Sequence, residues 1–97
     1  MIAHTVLCRW QDGSSGHVEE LDALVADLPS RIPGIERVLH GASVSPEGLE
    51  GGYEWGMVIL FTGRDDLERY LPHRDHAPVA RLIGQHSAAT VVFDVES

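Results

Sequence analysis

Apolar positions along the chain change their period several times, and each change marks an element. Residues 2–10, IAHTVLCRW, are rich in β-branched and apolar types and predict a first strand. The polar stretch Asp12-Gly13-Ser14-Ser15-Gly16 predicts a turn, with Ser14 or Ser15 capping the next helix by accepting a backbone N–H. Val18, Leu21, Leu24, Val25 and Leu28 then recur at helical spacing, and Glu19, Glu20 and Asp22 occupy the early turns, where the helix dipole favours carboxylates. Pro29 and Pro33-Gly34 are expected to end that helix. Residues 35–44, IERVLHGASV, read as a second strand, and the glycine-rich SPEGLEGG after them as a loop. Residues 53–62, YEWGMVILFT, carry the strongest strand pattern in the chain. Gly63-Arg64-Asp65-Asp66 opens a short helix with Leu67, Tyr70 and Leu71 on one side, which Pro72 interrupts. His76, Val79, Leu82, Ile83 and His86 mark a further helical run; Pro78 is tolerated in its first turn, where a missing N–H has no helical partner anyway. Residues 88–96, AATVVFDVE, predict the last strand.

The order strand, helix, strand, strand, helix, strand is the ferredoxin-like βαββαβ arrangement. It predicts an α+β fold with a four-stranded antiparallel sheet and its helices on one face. No repeat or linker divides residues 1–97, so one domain is expected. A sheet with one bare face should alternate apolar and polar residues. Met57 to Phe61, Val91 to Phe93 and Val6 to Cys8 are instead apolar on both parities. Both faces of the sheet must therefore leave water, and the helices can cover only one. A second copy of the chain is the simplest cover, so the chain is expected to form a homodimer through its open sheet face.

Composition narrows the partners. Seven Lys and Arg oppose fifteen Asp and Glu, for a formal charge of −8. Nucleic acid would be repelled, and no basic cluster offsets this. No stretch approaches the ~20 apolar residues of a membrane-spanning helix. The N-terminus lacks a charged region followed by an apolar run, so no signal peptide is expected. Cys8 is alone, which excludes an internal disulfide and suits a reducing cytoplasm.

Five segments carry a family resemblance: M-I-x-H-x-V-L-x-R-W at the start, R-I-P-G-I after the first helix, G-Y-E-W-G opening the third strand, L-E-R-Y-L-P-H-x-x-H, and the closing V-V-F-D-V. Together they resemble the stress-responsive A/B barrel (Dabb) family, nearly end to end. The resemblance implies a dimeric α/β barrel, in which two ferredoxin-like chains bring their sheets together. It also implies a small-molecule pocket between sheet and helices. One plant enzyme of the family closes a linear polyketide by aldol chemistry. Its catalytic His corresponds to His76, its supporting Tyr to Tyr70 and a further pocket His to His4. Its third-strand pocket His is replaced here by Trp55, and its first-helix Tyr has no counterpart near Val25-Ala26.

The residues themselves allow that chemistry. A neutral imidazole at His76 can take a proton near neutral pH, and the Tyr70 phenol can donate a hydrogen bond to it or to a substrate oxygen. Together they can abstract a proton beside a carbonyl and stabilise the enolate. The competing reading is that Tyr70 and His76 only pin two helical segments together. His4 shares its parity with Ile2, Val6 and Cys8 and so points toward the helices, as a pocket residue or a satisfied core residue. His73, three residues before His76, can share a metal with it only if His4 is the third ligand, and Pro72 breaks the regularity needed. A solvent-facing His73 capping the helix junction, with no metal and no cofactor, is expected. Tyr53 and Trp55 share a parity and can wall the ligand pocket. His40 is expected at the dimer interface, His17 and His86 as bystanders, and Cys8 as a small buried hydrophobe.

Three functions compete. The first is a His/Tyr acid–base enzyme of the cyclase, lyase or isomerase kind, acting on a small apolar or polyketide-like ligand. The second is a stress-linked protein that only binds such a ligand. The third is a cofactor-free monooxygenase, against which the Dabb-like motifs argue.

Overall fold

The computed structural model describes residues Met1–Ser97 as β1 (Ile2–Trp10), α1 (Val18–Arg31), β2 (Ile35–Ala42), β3 (Trp55–Phe61), α2 (Arg64–Tyr70), α3 (Ala77–His86) and β4 (Ser87–Glu96). The fold is the ferredoxin-like βαββαβ, with the second helix broken in two at Pro72. The strands form one antiparallel sheet in the order β2-β3-β1-β4.

Alternation along the two central strands decides what faces the helices. Ile2, His4, Val6, Cys8 and Trp10 of β1 are buried, as are Trp55, Met57, Ile59 and Phe61 of β3. Leu21, Val25 and Leu28 of α1, Tyr70 of α2, and Val79 and Ile83 of α3 close over them. The opposite face carries Leu7, Leu39, Val91, Phe93 and Val95, all exposed. Register puts Phe93 beside Thr5 and Thr5 beside Val58, so the apolar side chains adjoin across the sheet. The helices also stop short of β4: Val92, paired with buried Val6, is itself exposed. One chain therefore leaves a whole face and one flank of its sheet bare. No helix is long and apolar enough to cross a membrane.

Several local expectations change. Pro29 lies inside α1, which runs on to Arg31; a residue without an N–H forfeits only one bond in the last turn. The N-cap of α1 is His17, without a side-chain cap bond, and Ser14 instead meets His86. His76 is the N-cap of α3 rather than a residue of its first turn. His40 does not face the open side of the sheet: its Nδ1 lies 2.7 Å from Asp22 Oδ1 on α1. β2 has a register shift between Ile35 and Arg37, which resets the parity that a simple count along the strand assumes.

The turn from α1 into β2 needs glycine. Gly34 has φ +93°, and a Cβ there would sit 2.5 Å from the Asp66 side chain of α2. Gly34→Ala should therefore destabilise the fold by about 2 kcal/mol, through the left-handed backbone and this close approach. A urea titration reads this as a lower midpoint at an unchanged slope.

Candidate functional site

Four side chains meet at one end of the covered face, three from β1, β4 and α2 and one from the turn before α3. His4 is carried there by the alternation of β1 and is 4% exposed. β4 runs beside β1 with Asp94 opposite His4, and the two bond at 2.6 Å between Nδ1 and Oδ1. A carboxylate can only accept, so Nδ1 of His4 carries the bonded proton and Nε2 is the nitrogen left for another partner. Tyr70 closes α2 with its ring 5.8 Å from that of His4 and 5.1 Å from that of Phe61. Beyond it the chain folds through two tight turns, His73 N–H to the Tyr70 carbonyl and His76 N–H to the His73 carbonyl, each 3.0 Å. These turns return His76 to within 4.4 Å of the Tyr70 ring. His76 Nδ1–H donates to the Leu71 carbonyl at 2.8 Å, which leaves its Nε2 basic as well.

The electrostatics suit proton transfer. Burial alone pushes the Tyr70 phenol far above its usual range, so it stays protonated and can donate. Its hydroxyl is buried and has no hydrogen-bond partner. Such an orphan is uncommon in a native fold and costs stability. Burial also holds His76 below its ordinary value, with the neighbouring His4 adding to the effect and the Leu71 carbonyl opposing it. Desolvation is thus the main reason that the neutral ring is favoured.

The remaining predicted residues lie elsewhere. His73 is half-buried at the helix junction, where its Nδ1 accepts from the Asp75 N–H at 3.0 Å. His4, His73 and His76 do not converge as a three-ligand set. Trp55 pairs with Cys8, four residues along β1 from His4, or about 13 Å along the strand. Its Nε1–H donates to Asp22 Oδ1 at 2.9 Å, the same oxygen that faces His40. Trp55 and Tyr53 line a cleft of about 220 Å³ with Leu7, Ser43 and Glu50 at the far end of the sheet. A separate cleft of about 260 Å³ opens between α2 and β4, where Leu67, Arg64, Ile2 and Asp94 line it. The two expected pocket walls are thus two separate places. Asp94 is the member of the cluster that sequence reasoning missed. A lone carboxylate inside the apolar run Val91 to Val95 was its only signal, and pairing it with His4 requires the strand order.

The model of the Stress responsive A/B Barrel Domain matches residues 2–97. The chain belongs to the Dabb family. A protein of Arabidopsis thaliana has the same fold at 26% identity and a TM-score of 0.87, over 100% of this chain and 95% of that one. A dimeric ferredoxin-like protein of unknown function from Thermobifida fusca matches at 28% identity and TM-score 0.83, over 99% and 90% of the two chains. The hydroxynitrile lyase of Passiflora edulis shares the fold at 16% identity and TM-score 0.84, over 97% and 90%. No protein with a curated description matches this Dabb sequence.

Tyr70→Phe removes the orphaned hydroxyl and leaves the ring packing intact. It should stabilise this Dabb chain by about 1 kcal/mol, seen as a raised urea midpoint. A hydroxyl retained for packing alone would show no such gain.

Proposed function

We propose that this Dabb protein is a homodimer that binds a small carbonyl compound beside Tyr70 and catalyses proton transfer on it without a cofactor. The observation that carries this reading is the orphaned Tyr70 hydroxyl, buried on a ring that packs against two imidazoles whose Nδ1 protons are both already engaged. Each His then offers Nε2 as a base, and the phenol offers the only free proton in the cluster. His76 abstracts a proton next to the carbonyl, or the hydroxyl proton of a cyanohydrin, whose C–C bond to the nitrile breaks as the C=O forms while the expelled cyanide takes that proton back from His76. Tyr70 donates to the oxygen on which charge develops. Asp94 holds the His4 ring in place through Nδ1. A lyase or cyclase step needs no more than this. The α2–β4 cleft reaches Asp94 and is the entry route in this reading.

The dimer rests on the bare sheet face and on the dimeric relative. Covering the face removes exposed Leu39, Phe93 and Val95 from water at roughly 25 cal/mol per Å². Phe93→Asp should convert a dimer to monomer in light scattering.

Turnover tests the chemistry. The wild type is assayed against neutral cyanohydrins and β-keto substrates of polyketide type. His76→Ala should lower kcat/KM at least 100-fold on the substrate turned over, and Tyr70→Phe at least 10-fold. The pH profile has a defined sign. His76 must be neutral to act and sits below its ordinary value, so the acid limb of kcat/KM should fall below pH ~6.5. Failure to turn over any substrate, with saturable quenching of tryptophan fluorescence by the same compounds, would establish a binder instead.

A further inference from the structure

The end of the domain farthest from Tyr70 holds two histidines that the proposed chemistry does not use. His17 caps the start of α1, and His86 is the last residue of α3. Their rings stack face to face, 4.0 Å between centroids and 7° from parallel. Trp10 meets His17 edge-on at 4.3 Å, and Trp55 packs behind Trp10 at 5.9 Å. His17 is 7% exposed, and neither of its ring nitrogens has a hydrogen-bond partner. His86 is tied to the turn before α1: its Nδ1 lies 3.3 Å from Ser14 Oγ, and its carbonyl accepts from the Gln11 N–H at 2.8 Å. Far from being bystanders, the two rings join the beginning of one helix to the end of another.

Stacked imidazoles tolerate one proton between them and not two. The positive end of α1 lies at His17 and opposes a proton on that ring, as burial does. A second would set two cations face to face, one of them buried without an acceptor. The surroundings offer little relief. Trp10 of β1 and Trp55 of β3 are uncharged, and Ser87 at the start of β4 contributes only a neutral hydroxyl. Asp12 of the turn and Glu19 of α1 are exposed. Burial and the charge of His86 hold His17 below its ordinary value, while the Ser14 carbonyl and the Glu20 carboxylate pull the other way without a hydrogen bond to the ring.

We propose that the His17–His86 stack is a pH-sensitive latch between the start of α1 and the end of α3, closed while at least one ring is neutral and opened by the second proton. Opening frees the edge of Trp10 and the first turn of α1, and leaves the β1–β3 ladder paired. The direction follows from linkage. Released His17 titrates near pH 6.5 and latched His17 below that, so the open form binds more protons in this interval and gains on the closed form as pH falls through it.

Hydrogen exchange of the full-length protein at pH 7.5 and pH 5.0, corrected for intrinsic rates, reads the latch. The Gln11 and Leu21 amides, bonded to the His86 and His17 carbonyls, should exchange at least tenfold faster at pH 5.0 while the β1 and β3 amides keep their protection. Tryptophan emission should change over the same range. In His86→Phe the stack survives without its second titrating group, and Gln11 and Leu21 should stay protected at pH 5.0. Equal loss of protection in His86→Phe, loss across the whole sheet, or no loss in the wild type would each overturn the latch. If His86→Phe does not fold, ring-resolved NMR titration of the wild type decides. Two coupled steps with His17 titrating last support the latch; two independent titrations near pH 6.5 refute it.

Discussion

Everything in this domain depends on the two-residue period of β1, one of the two central strands, with helices over one face. That period puts His4 under cover with Ile2, Val6, Cys8 and Trp10. A polar ring in such a place must find a partner inside the protein. β4, lying antiparallel beside β1, supplies one in Asp94. The His4–Asp94 bond therefore links sheet topology to chemistry. Because it occupies Nδ1, it decides which nitrogen of His4 is free.

The covered face is polarised along its length. At one end lie His4, Tyr70 and His76, with desolvation keeping the phenol protonated and the His76 imidazole neutral. At the other lie Trp10, Trp55, His17 and His86, with Asp22 accepting from both Trp55 and His40. Apolar β1 and β3 side chains separate the two. The first end stores an unsatisfied hydroxyl, a cost that folds tolerate where a group is held ready for a ligand. The second end has its strain in a ring stack that gaining protons would disrupt. Neither end of the sheet bears on the opposite, open face, whose exposed leucine, valine and phenylalanine side chains call for a second chain.

The architecture was legible in the sequence because strand and helix periods are local properties. The βαββαβ order, the break at Pro72, the burial of Cys8 and the inward direction of His4 each follow from spacing along one element, and the apolar character of both strand parities exposed the missing cover. The motif Y-L-P-H-x-x-H likewise carried Tyr70 and His76 together, because a few turn residues between them leave little choice of path. What failed depended on neighbours distant in the chain. His40 was assigned to the wrong face because the irregularity between Ile35 and Arg37 shifts the count. His17 and His86 were separated by most of the chain and gave no hint of meeting.

Residue pattern by itself thus determined the elements, their order, the Dabb resemblance and the need for a covering partner, since each of these is set by local period and composition. Only the tertiary structure decided that Asp94 joins His4, that Trp55 and Tyr53 stand apart from Tyr70, and that two histidines stack at the opposite end. The physical reason is that strand order and register set which residues from different elements come within hydrogen-bonding or stacking distance, and no stretch of sequence contains both partners.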